Sequence, residues 1–198
     1  SARPGARAAL SIVILLLRAS GEGLLEKGDG VNHYLISKWA WAHPMLFLDL
    51  WGKPLFTLLA SPFAQLGHVG VAGFNTIVAA TTAWIGVRAL RSVGGASQFV
   101  FPLLVLLAPE YLLMSMAGMT EPLFGLLTVI TVVLLMTDRP IAAAVVASLT
   151  PFSRPEYVVF LQMIAGWLGR QGHLQRSPRG LLGLGAYAAI VTIAHGDP

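Results

Sequence analysis

The sequence has no cysteine, which excludes a disulfide framework and any thiolate metal site and leaves the redox compartment open. It is also poor in charge: Asp, Glu, Lys and Arg make up 11% of the residues, against roughly a quarter in an ordinary soluble domain. Hydrophobic residues reach 56% and the mean hydropathy is +0.72. An integral membrane protein is predicted, not a soluble domain. The formal charge of +4 would point to nucleic acid in a soluble chain, but here the basic residues stand in short clusters between apolar runs. That distribution reports membrane topology and excludes a nucleic-acid partner. The chain begins at Ser1 and stops at "AHGDP", just after an apolar segment. We therefore expect a single transmembrane domain over 1–198 that is part of a longer protein.

A helix needs about 20 apolar residues to cross the hydrocarbon, fewer if it is short and buried among others. Residues 8–17, "AALSIVILLL", read as a shortened first membrane helix, because Arg18 stands where a signal peptide would need a small residue. Further spans are predicted over 70–87, 97–114, 122–137 and 180–194. Between the last two, 141–169 reads as two short helices meeting at the polar kink "TPFSRPEY" (150–157), where two prolines interrupt the hydrogen-bond ladder. If 18–69 lies outside, the cytoplasmic loops collect Arg3, Arg7, Arg88, Arg91, Arg139, Arg170, Arg176 and Arg179. This is the bias of the positive-inside rule. A span over 45–66 would invert that arrangement and bury Asp49 and Lys53, at a cost of roughly 2.5–3.5 kcal/mol each near the bilayer centre. The predicted fold is all-α: a polytopic membrane helical bundle whose external loop, 18–69, contains interfacial amphipathic helices.

Within that loop Val31, Tyr34, Leu35, Trp39 and Ala42 form an apolar stripe at helical spacing, and Trp39, Trp41 and Trp51 carry rings that settle at headgroup level. The segment is expected to lie along the outer membrane surface. Asp29 sits in "GDG", where glycines permit close approach of a ligand, and a carboxylate at a low-dielectric lip suits a general base. The plainer reading is an Asp-Gly turn leading into the surface helix. His33 follows four residues later, so the two could bind a divalent cation or a phosphate. No "HExxH" or carboxylate cluster supports a dedicated metal site, and a solvated interfacial histidine is the simpler reading. His43, Lys53 and His68 read first as turn and interface residues. In "MAGMTEPLF" (116–124) Thr120 is placed to cap a helix, with Glu121 and Pro122 in its first turn. In "SRPE" (153–156) Ser153 and Glu156 fit a capping box. Capping does not account for Arg154, a guanidinium in a hydrophobic stretch, which is a functional-site candidate with Glu156 as its nearest partner in sequence.

The order of these features is more specific than any one of them. An early acid in "GDGVNHYLIS", the lead-in "WGKPLFTLLASPFAQLG", a span ending in arginines, "TEPLF" and then "SRPE" together resemble the membrane glycosyltransferases of the C-type fold. That group includes protein mannosyltransferases and enzymes that use dolichyl- or polyprenyl-phosphate sugars. The likeness covers about 25–165 and corresponds to the amino-terminal half of such an enzyme. It implies a catalytic carboxylate in the first external loop, here Asp29, with Glu121, Arg154 and Glu156 lining the same outward cavity. The family often shows two adjacent acids in that loop, whereas Gly30 follows Asp29 here, which leaves metal dependence open. The implied reaction transfers a sugar, with inversion, from a polyprenyl-phosphate donor to an acceptor hydroxyl. Asp29 would be the base, and Arg154, then His33 and Lys38, would hold the departing phosphate. The implied partners are the lipid-linked donor and membrane lipids; the chain's length and short loops lead us to expect a prokaryotic plasma membrane, with the site facing outward. Two other readings stand beside it: a secondary-transporter fragment with broken helices, and a noncatalytic membrane scaffold.

Overall fold

The computed structural model describes residues 28–92 and 108–154 together with Met163, Gly166, Gly169 and Arg170. The helices expected over 8–17 and 180–194, the first part of 97–114, and Glu156 lie outside the described residues. The described residues form helices and turns, with no strand among them. The all-α expectation is met at that level.

Proline opens most of these helices. Helix α1, Asp29–Trp39, leads to a 3-10 turn, Pro44–Leu48, and then to α2, Pro54–Ala64. Helix α3, His68–Ser92, is followed by α4, Pro109–Met116, α5, Glu121–Met136, α6, Pro140–Ala147, and a second 3-10 turn, Thr150–Phe152. The fixed φ and missing N–H of proline suit a first helical turn, where that N–H would have no partner inside the helix. Pro62 lies inside α2 and cannot bond the Leu58 carbonyl, which instead accepts from the Ser61 hydroxyl at 3.1 Å. Thr120 occupies the N-cap of α5 as expected, but its hydroxyl makes no capping bond. Its backbone is already helical, at φ −92° and ψ −13°, whereas a capping side chain needs the extended conformation.

Among the described residues α3 is the one helix that is long and apolar enough to cross a membrane by itself; its 25 residues span about 38 Å. Helices α4 and α5 pass the same test only together, and their axes turn by 116° at the break between them. The segment 45–66 is not one continuous helix. Its chain turns at Asp49–Lys53, where the Gly52 N–H donates to Asp49 Oδ1 at 2.8 Å and the Thr57 hydroxyl donates to the Gly52 carbonyl at 2.8 Å. A Cβ at Gly52 would stand 2.6 Å from Ile36 Cγ2, so the turn and α1 are packed against each other.

Helix α3 packs along α5, α5 along α6, and α1 lies on α2. The shared core is Phe56, Ala60 and Ala64 of α2, Val71, Phe74 and Val78 of α3, and Leu123 of α5. Burying these side chains from water is the main force holding the junction together. The predicted stripe on α1 is split. Tyr34 packs on the core, Leu35 and Trp39 are exposed, and Ala42 falls beyond the helix end. The buried face consists of Gly30, His33 and Ser37, because small and polar residues let α1 approach its neighbours closely.

Closest is the meeting of α1 with the α4–α5 break, where a Cβ on Gly118 would run into the Gly30 carbonyl. Backbone stands on both sides of that contact, so no flexible side chain can yield. Gly118→Ala is therefore expected to cost about 1–3 kcal/mol, as overpacking does. Thermal unfolding in detergent checks it; an unchanged midpoint would mean that α1 is not seated on the break.

Candidate functional site

The close approach of Gly30 to Gly118 sets Asp29, the first residue of α1, beside the break that precedes α5. Gly28 has φ −141°, so the left-handed backbone that glycine permits is not what this turn uses. The flanking glycine that matters is Gly30, and it matters for packing. The Asp29 side chain is exposed. One turn further on, His33 is buried, with its ring 5.7 Å from that of Phe56. A solvated interfacial histidine was the expectation; the structure corrects it, because α1 turns its His33 face onto α2.

Burial first, and then the positive charge of Lys53, lower the His33 imidazole from 6.5 to about 4. Asp29 opposes that shift, Arg154 adds to it and Asp49 opposes it. The ring is therefore neutral at pH 7. Those four charges act on one imidazole, so Asp29, Asp49, Lys53 and Arg154 share one electrostatic neighbourhood. Because the folded value lies below the unfolded one, the associated stability is present above 6.5 and is lost as the pH falls toward 4. The expected loss over that window is about 3 kcal/mol. Unfolding measured near neutral pH and near pH 4 checks it, and His33→Phe should show most of that difference removed.

Arg154 follows the second 3-10 turn, and its backbone N–H donates to the Thr150 carbonyl at 2.9 Å. Its Nη1 pairs with Oε1 of Glu121, the first residue of α5. The two side chains are 23% and 20% exposed, so the ion pair stands at a lip between core and surface. From the sequence Glu156 was the nearest partner for Arg154. The observed partner is thirty-three residues away, brought there by the packing of α5 on α6 and of the 150–152 turn on α5. The Ser153 hydroxyl donates to the Thr150 carbonyl at 2.9 Å; the Glu156 half of the expected capping box lies outside the described residues.

Lys38 is not brought to this junction. It stands nine residues beyond Asp29, about 13 Å along α1, with its ammonium 5.6 Å from the Tyr34 ring centre and 5.8 Å from that of Trp39. Lys53, read first as a turn residue, is the cation that acts most strongly on His33. Its backbone has φ +59°, uncommon outside glycine, and it starts the turn into α2. The Lys-Pro dipeptide marked a turn in the sequence, but nothing local marked which way the turn aims the lysine. Asn75 was also missed. This buried residue of α3 donates from Nδ2 to the carbonyls of Ala117 at 2.7 Å and Met119 at 2.9 Å, with Met114 more distant at 3.4 Å. It fastens the α4–α5 break to α3 and so sets the position of Glu121. No group of three or more His, Asp or Glu that could hold a metal ion occurs among the described residues.

Comparison of the chain with models of known protein families, with curated proteins and with solved structures gives no match.

Proposed function

We propose that this chain is the amino-terminal part of a polytopic membrane glycosyltransferase that moves a sugar from a polyprenyl-phosphate donor to an acceptor hydroxyl. The observation that carries the reading is the junction itself: an exposed carboxylate at the start of α1, a neutral buried histidine and the Glu121–Arg154 pair are gathered where α1, α2, α5 and the 150–154 turn meet. In the reaction Asp29 takes the proton of the acceptor hydroxyl while its oxygen attacks the anomeric carbon. The bond from that carbon to the phosphate oxygen breaks, the phosphate leaves with the electron pair, and the configuration inverts. The leaving group is already a stable anion, so the protein needs a base and positive charge more than an acid. Arg154 and Lys53 supply that charge, and it counts for more where water is excluded.

A lipid-linked donor also accounts for the outward apolar surface. Trp39, Trp41, Trp51, Leu35, Met45, Leu58 and Leu59 are exposed on and between α1 and α2. Large exposed apolar side chains beside a membrane-length helix suit the interface of a bilayer, at the depth where a polyprenyl headgroup lies. We place this face on the outer side of a prokaryotic plasma membrane. The test is transfer from a radiolabelled polyprenyl-phosphate sugar by the full-length protein in nanodiscs; no transfer to any hydroxyl acceptor would remove the proposal. One observation favours the second reading, a transporter: a helix break between α4 and α5 beside a charge pair is the form substrate paths take. Sugar uptake into proteoliposomes without transfer would establish it.

A further inference from the structure

Helices α3 and α5 run side by side in the same direction. Leu123 shares the core of Phe74 and Val78, while a Cβ on Gly125 would touch the Tyr111 ring at 3.5 Å, and that ring packs on Ala79 and Ala83, further along α3. Sixteen residues on from Thr76 and from Leu123, about 24 Å along each helix, the chain reaches Ser92 and Arg139. Arg88 and Arg91 of α3 and Arg139 after α5 therefore stand at one end of the bundle, and all three are exposed. Between Trp84 and Ser92 and between Thr131 and Ala142 the one acid is Asp138. This basic rim lies at the end opposite the start of α5, where Glu121 holds Arg154.

One arginine of the rim is held by an aromatic ring. The Arg88 guanidinium lies over Trp84, 5.2 Å from the ring centre, and among the described residues no carboxylate pairs with it. Side chains four apart on a helix lie one above the other, and Ile77, seven residues before Trp84, continues the same face. All three are exposed, so α3 turns outward an apolar stripe that ends in a ring and then a cation. From Ile77 to Arg88 the stripe is about 17 Å long, close to half of a hydrocarbon core roughly 30 Å thick. Tail, glycerol and phosphate follow one another in the same order within a single leaflet. We infer that this stripe seats an anionic phospholipid of the leaflet opposite the proposed catalytic site, with its phosphate on Arg88, its glycerol on Trp84 and an acyl chain along Ile77. A zwitterionic headgroup would bring an ammonium among three arginines, whereas phosphatidylglycerol brings only negative charge. Free phosphate would meet the cations but leave Ile77 and Trp84 uncovered. The inference needs α3 to cross a bilayer and does not depend on sugar transfer, so its failure and that of the proposed function are separate results.

The test is titration of the full-length protein in detergent with phosphatidylglycerol and with phosphatidylcholine, the bound lipid being counted by native mass spectrometry. Phosphatidylglycerol should bind more tightly, and Arg88→Gln should weaken it by about fivefold, the effect of one cation near a membrane surface. Trp84→Leu removes no charge, yet it should weaken phosphatidylglycerol as well, because the guanidinium loses the ring that orients it. Arg88→Lys keeps the charge without the planar fork and should fall between Arg88→Gln and the parent. In the double variant the losses should not multiply, since both substitutions disrupt one pair. The substituted side chains are exposed, so each variant should keep the parent's unfolding midpoint. If Trp84→Leu and Arg88→Lys both bind as the parent does, the rim is diffuse charge and the inference is overturned. Equal retention of phosphatidylcholine would also overturn it, as would displacement of the lipid by millimolar inorganic phosphate, which would mean that the anion alone is read.

Discussion

Asp29→Asn is expected to lower sugar transfer by the full-length protein by about a hundred- to ten-thousandfold, the usual contribution of a positioned general base. Expression and donor binding should be close to normal. The two side chains have nearly the same shape, and Asp29 is exposed at the first position of α1, so no core contact is lost. The one structural penalty is a carboxylate removed from a helix amino terminus, a few tenths to about 1 kcal/mol, too little to unfold the domain. What the amide cannot do is accept the proton of the attacking hydroxyl. Asp29→Glu separates chemistry from geometry: it keeps a base but moves it by a methylene, so its loss should be smaller than that of the Asn variant. Single-turnover transfer beside donor binding measures both. Normal turnover in the Asn variant would remove Asp29 from the mechanism, and is the result a noncatalytic scaffold would give.

Much of the element layout was readable in the chain because it follows from local chemistry. Prolines 54, 109, 122 and 140 lie in the first turns of their helices, and the apolar run predicted over 70–87 lies within α3. The contacts that make the junction were not readable in the same way. Gly30 meets Gly118, Asn75 reaches carbonyls more than forty residues away, and Glu121 pairs with Arg154. Each depends on how separate helices are packed, and no periodicity within one segment carries that information. His33 shows the difference most plainly. Its polarity argued for solvent, yet its place on the narrow face of α1 puts it against Phe56, and the sequence holds no local sign of which face that is. The positive φ of Lys53 is a similar case, since it belongs to a turn fixed by Asp49, Gly52 and Thr57 together.

The largest expected effect on stability comes from Asn75, which makes no contact with the proposed reacting groups. Its side chain is fully buried, and one amide nitrogen serves the carbonyls of Ala117 and Met119, with Met114 as a longer third acceptor. The chain leaves helical geometry at Ala117, so the carbonyls of Ala117 and Met119 lie outside a continuous helix ladder that would provide their partners, whereas that of Met114 still accepts from the Ala117 N–H at 3.3 Å. Asn75→Leu keeps the branched shape, with bulkier methyl groups in place of the amide, and removes the donor. Each carbonyl left unpaired in a buried site costs about 1–3 kcal/mol, so the variant should lose on the order of 3–5 kcal/mol in detergent unfolding. Asn75→Asp should be worse near neutral pH, because an ionised carboxylate has only acceptors to set against carbonyl oxygens. Since the break positions Glu121, and Glu121 holds Arg154, a folded Asn75 variant should also lose transfer activity while retaining Asp29. A conserved midpoint together with full activity would mean that α3 does not hold the break in place. If the midpoint falls while the residual folded protein still turns over normally, Asn75 serves stability alone, and Glu121 reaches its position through the packing of Leu123 into the core.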